Sequence, residues 1–139
     1  CSLNSEKNQA LPHRELTFSA GSGRTAVCLH LLRVGKDCQA VLTGGERPHI
    51  GAVVLAVPRP SLRGGELSCD CWVTPVSAHK DHLVAQSAAE KLCPALNGVV
   101  SVSAGIHSDH ASEEELQDIR RNCASAVDMA LSAILAGHF

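Results

Sequence analysis

The chain has 139 residues, a net charge of −2 with both signs interspersed, and only three aromatic side chains, Phe18, Trp72 and Phe139. That length suits one domain with a buried core. It carries neither the cationic stripe nor the stacking rings of a nucleic-acid binder, and no run approaches the ~18 apolar residues of a membrane helix, so neither partner is expected.

Residues 1–12 read as a flexible polar tail and 13–139 as a single α+β domain. The chain opens on Cys1 with no Met and no signal-like apolar run, a start read as trimmed rather than lipid-modified. "HRELTFSA" gives a short first strand, and "GSG" (Gly21 to Gly23) a hairpin turn. "RTAVCLHLLRV" is a longer strand, and "GKD" turns the chain into a third, "CQAVLT". Gly44 and Gly45 break that strand. The uninterrupted apolar run from Ala52 to Pro58 then reads as a fully buried fourth strand. "PRPSLRGGE" is expected to be a loop, because its prolines and glycines disfavour pairing. "LSCDCWVTPV" is the fifth strand, with Pro75 at its end.

The periodicity then changes. Leu83, Val84, Ala88 and Leu92 place a helix over His79 to Cys93, stopped by Pro94 and released at Asn97-Gly98. "VVSVSAG" is a sixth strand. A last helix follows, with Ser112 and Glu115 forming a capping box and acidic residues at the positive end of its dipole. Leu116, Ile119, Cys123, Val127, Ala130, Leu131 and Ile134 line its apolar face. The order β-β-β-β-β-α-β-α predicts a mostly antiparallel sheet of about six strands with two helices. The first five strands are expected to form a meander. Strand five, the first helix and strand six form a βαβ unit with parallel strands.

Seven cysteines at irregular spacing do not form a disulfide framework. They read as free thiols of a reducing cytoplasm, with Cys69 and Cys71 in the core rather than on a metal. His30 alternates with Cys28 and Leu32 within a strand and reads as structural.

Five of the eight histidines fall in three short segments, "ERPHIG", "SAHKDH" and "GIHSDHAS". In a βαβ unit both parallel strands end at one edge of the sheet. The fourth strand, antiparallel to the fifth, starts there. His49, His79, His82, His107 and His110 are therefore expected at a common rim, near the N-termini of both helices. Helix N-termini, Arg47 and Lys80 favour phosphate. Neutral imidazoles beside Asp109, Asp81 or Glu46 favour a divalent metal. Glycines 45, 51 and 105 allow backbone to approach a ligand closely. No nucleophile motif is present and no catalytic residue is assigned.

The segments "GGERPHIGAVVLAVPRPSL", "HKDHLVAQSAAEKL" and "VSVSAGIHSDHASEEELQDI" together resemble the LpdD-like family from about Arg14 onward. These are small proteins associated with UbiD-type decarboxylases that use prenylated flavin mononucleotide, with a fold similar to proteasome-assembly chaperones. The resemblance implies a non-catalytic chaperone or accessory subunit that binds the prenylated flavin and supports maturation of the decarboxylase. It implies that His49, Ile50 and Gly51 touch the cofactor, and Arg47, read from its charge, joins them as a cofactor-binding candidate. His79 and Lys80 would take its phosphate, and His107 with Asp109 would complete the site. His49 and His107 are the candidates for a metal bridging phosphate to protein. This chain has Ala78 before the helix-opening His where the family leads one to expect Gly. Trp72 is the sole aromatic candidate for a flavin wall, and a homodimer is expected to supply more apolar surface. Two other readings stay open: a small metalloenzyme using His49, His79 and His107, and a protein-assembly chaperone without a small-molecule ligand.

Overall fold

The computed structural model describes residues 14–76 and 81–139. The tail expected over residues 1–12, together with His79 and Lys80, lies outside them. Strands β1 (Glu15–Ala20), β2 (Val27–Val34) and β3 (Asp37–Gly45) are joined by short turns, the first containing a 3₁₀ turn at Gly23–Thr25. β4 (Ala52–Pro60) and β5 (Leu67–Pro75) follow, then helix α1 (Asp81–Leu96), β6 (Val100–His107) and helix α2 (Glu113–Leu135). The expected α+β class, six strands and two helices are all present in the expected order.

The meander is not continuous. The sheet order is β1-β2-β3-β6-β4-β5. β6 lies parallel to β3 and antiparallel to β4, so β5 and β6 run the same way with β4 between them. The physical reason is burial. Val100, Val102 and Ala104 of β6 are fully buried, and a central position covers both edges of that strand.

Two local expectations also change. β4 continues through Pro58 and Pro60, residues read as loop. Its pairing with β6 ends at Ala56, and beyond that point only β5 flanks it. A strand with one open side accepts proline, because no ladder bond is lost there. Similarly, α1 runs past Pro94 to Leu96. Pro94 stands in the final turn, and Asn97, at φ 49° in the left-handed region, ends the helix.

Both helices cover one face of the sheet. Alternate residues of the strands, among them Leu29, Leu31, Leu42, Val54 and Val102, point into this layer. Ala85, Ala88, Ala89 and Leu92 of α1 meet them, as do Cys123, Ala126 and Val127 of α2. Cys69 and Cys71 pack against the same core, their Sγ atoms 3.9 Å apart, and the six described cysteines are unpaired. The opposite face carries no helix. Leu55 pairs with Trp72 there, and both are exposed. His30 lies on that face too, its Nδ1 2.9 Å from Thr17 Oγ1. Among the described residues no helix is long and apolar enough to cross a membrane.

Candidate functional site

Because β6 separates β3 from β4, the segment from Glu46 to Gly51 must cross over the C-terminal end of β6. The crossing is tight. The Glu46 and Arg47 N–H groups both donate to the His107 carbonyl, at 2.8 and 3.0 Å, and the Gly51 N–H donates to the Ala104 carbonyl at 2.8 Å. Beneath it, a Cβ on Gly105 would stand 1.8 Å from the His49 carbonyl oxygen. A Cβ on Gly51 would stand 2.1 Å from Asp81 Oδ2. At Gly105 the obstacle is backbone, so only hydrogen fits; at Gly51 a Cβ would push the Asp81 carboxylate and the His49 ring aside.

The crossing segment delivers His49 onto Asp81, the first residue of α1. His49 Nε2 is 3.2 Å from Asp81 Oδ2, and its Nδ1 is 3.0 Å from the Arg47 carbonyl. Asp81 is only 6% exposed. Its other carboxyl oxygen accepts from the Ile106 N–H at 3.1 Å, so a buried polar group is held by two partners from two other elements.

His107 stands edge-on to His49, with ring centroids 6.5 Å apart. Its Nε2 is 3.0 Å from Asp109 Oδ1, while the Arg47 guanidinium donates to Asp109 Oδ2 at 2.9 Å. The bond with His107, and then the positive charge of Arg47, hold the Asp109 carboxyl below its ordinary value.

Arg24, from the turn between β1 and β2, ties these loops together. It pairs with Glu46 at 3.1 Å and Glu115 at 2.8 Å, and donates to the Asp109 carbonyl. Buried Ser108 donates to the Arg24 carbonyl at 2.6 Å and accepts from the Glu46 N–H at 3.3 Å. Sequence reasoning passed over Arg24 and Ser108. Arg24 lies 85 residues from Asp109, and no local pattern marks such a partner.

A cavity of about 420 Å³ opens beside this cluster, within the range of small-molecule sites. Asp81, Glu113, His107 and Ser108 meet an apolar wall of Val84, Ile106, Leu116 and Ile119, and Arg120 adds a cation. His82 Nδ1 is buried without a hydrogen-bond partner among the described residues.

The expected convergence is therefore realised for "ERPHIG", for "GIHSDHAS", and for Asp81 of the third segment. His79 and Lys80 lie outside the described residues. Ile50 is 60% exposed, next to His49 and Gly51 on the crossing segment.

Two sequence expectations change, and a third, the metal on His49 and His107, gains no support: among the described residues no three His, Cys, Asp or Glu side chains gather around one point that could hold a metal. Each imidazole instead directs Nε2 at its own carboxylate, Asp81 or Asp109. The N-terminus of α2 is a poor phosphate site. Ser112 already accepts the Glu115 N–H at 3.1 Å, and Glu113, Glu114 and Glu115 crowd the first turn with negative charge. Trp72 is on the helix-free face of the sheet, opposite the layer that holds the cavity, so it forms no wall of this site.

Residues 21–135 match the family model described as the prenylated flavin chaperone LpdD-like domain. Among solved structures, the chain is similar to one in the crystal structure of a chaperone complex for yeast 20S proteasome assembly. The TM-score is 0.53 and the identity 12%, over 91% of this chain and 100% of that one. At that identity the likeness describes the fold. No curated protein matches the chain at a significant level.

Proposed function

The chain belongs to the prenylated flavin chaperone LpdD-like family, and we propose that it binds prenylated flavin mononucleotide and supports maturation of a UbiD-type decarboxylase. The carrying observation is the crossing of Glu46 to Gly51 over the end of β6, which sets His49 and His107 side by side next to a cavity of about 420 Å³. The residues present fit such a group. Val84, Ile106, Leu116 and Ile119 offer aliphatic surface, and Arg120 offers a cation to an anionic part, beside the Asp81 and Glu113 carboxylates of the same lining.

In this reading Arg47, His49, Ile50 and Gly51 touch the cofactor from the crossing segment. His107 and Asp109 close the site from the end of β6. The phosphate role of His79 and Lys80 rests on the resemblance of "HKDH" to the family. The chain's own contribution is to hold, orient and release the flavin, with no bond made or broken. The six free thiols suit work in a reducing cytoplasm. A second copy against the helix-free sheet face would cover Leu55 and Trp72 and complete the proposed homodimer.

Co-expression with a flavin prenyltransferase tests the proposal. Wild-type protein is expected to emerge coloured, with a flavin spectrum and a releasable phosphorylated flavin by mass spectrometry. His49→Ala and His107→Ala should emerge colourless while keeping the wild-type circular dichroism. Colourless wild type would reject flavin binding. Decarboxylase maturation indifferent to both histidines would point to an assembly chaperone without a ligand.

A further inference from the structure

A second concavity, of about 330 Å³, lies between α1 and α2. Leu83, Val84 and Ala88 line it from one helix and Cys123, Ala124 and Val127 from the other. The spacings of three and four residues on each helix make a straight trough about two turns, or roughly 12 Å, long. Its floor is built of small side chains, so a guest backbone can come close. Leu83 on the rim is 52% exposed.

Two cations stand at this trough, Lys91 on α1 and Arg120 on α2. Both are exposed, and neither has an ion pair among the described residues. Among the described residues no carboxylate lines the trough. The surface is therefore apolar along its length and positive at its rim. Its complement is an aliphatic stripe carrying negative charge.

We propose that this trough docks an acidic amphipathic helix of a partner protein, with aliphatic residues at i, i+3 or i+4 and i+7 and carboxylates facing Lys91 and Arg120. A helix meets the geometry because it satisfies its own backbone polar groups and presents a stripe of matching pitch. A single acyl chain lying in the trough would leave Leu83 half in water, whereas a helix covers floor and rim together. Val84 and Arg120 also line the first cavity, so the peptides are tested on flavin-free protein, where both residues are open to the partner helix.

The test uses the full-length protein, ¹⁵N-labelled, and two synthetic helical peptides. Both carry leucine at i, i+4 and i+7, one flanked by glutamates and the other by lysines. The glutamate peptide is expected to shift the amides of Leu83, Ala88, Ala124 and Val127, and to bind at least roughly tenfold more tightly than the lysine peptide. Lys91→Glu with Arg120→Glu should reverse that preference. Lys91→Gln, which adds no charge, should weaken the glutamate peptide a few-fold and serves if the double variant fails to fold. Equal affinity for both peptides, or shifts confined to other surfaces, would overturn the proposal. So would dodecanoate that binds the trough more tightly than either peptide, which would assign it to a lipid.

Discussion

The Gly105 Cα lies directly beneath the His49 carbonyl, leaving 1.8 Å between that oxygen and any Cβ built there. The contact is backbone against backbone, so no rotamer change relieves it. Gly105→Ala is expected to lose about 1–3 kcal/mol, the usual cost of overpacking, and to lift the crossing segment off β6. Urea unfolding measures the first effect. Loss of flavin retention, with the core amides of β2 and β3 unshifted, measures the second.

Asp109 gives the site a pH dependence. Its native carboxyl titrates below the unfolded value because the charged form bonds His107 and sits beside Arg47. A depressed carboxylate stabilises the fold at pH values above its unfolded pKa, and that contribution disappears as pH falls through the native value. Glu115 has the same sign: the Ser112 backbone N–H, then Arg24, favours its charged form. Thermal midpoints are therefore expected to hold near neutrality and fall in acid. In Asp109→Asn the acid limb should shrink, and a ¹³C carboxyl titration of the wild type should place Asp109 below a free aspartate.

The buried thiols should be slow to react. Desolvation pushes Cys38 and Cys93 up to about 11, and Cys71 and Cys123 up to about 12. At neutral pH each then holds over ~100-fold less thiolate than a free cysteine. Native protein should show these four reacting with a disulfide reagent far more slowly than in denaturant. Rapid modification of buried Cys38, Cys93 and Cys123 without unfolding would contradict their burial, whereas half-buried Cys71 is expected to react before them.

Ser112 closes the N-terminus of α2 through a reciprocal pair of bonds with Glu115, each 3.1 Å. Ser112→Ala should cost about 1 kcal/mol, in the range of lost N-caps. Glu115 also holds Arg24, so Glu115→Gln is expected to loosen the loop after β6 as well. Faster amide exchange at Ser108 and Asp109 would report it, with the C-terminal half of α2 unchanged.

Several features are legible without coordinates because they are local. The capping box depends on residues three apart, the strands on alternation, and the apolar face of α2 on its helical period. The three histidine-bearing segments also stand out, since each is short, polar and placed at a strand or helix end. The family match spans all three segments. What could not be read was which strand lies beside which. Nothing local in "VVSVSAG" says that it enters between β3 and β4, because its pairing energy comes from residues some 45 to 60 positions away.

By itself the sequence determined the elements, their order, the single apolar layer beneath two helices, and the candidates at the rim. Tertiary structure alone decided that β6 is central, and hence that Glu46 to Gly51 must pass over its end. From that crossing come the pairing of His49 with Asp81, the need for glycine at position 105, and the role of Arg24. It also turned Trp72 to the far face and sent each imidazole to its own carboxylate. Backbone pairing across a sheet is a choice among distant edges, settled by how much apolar surface each arrangement buries, and no short stretch of residues contains that comparison.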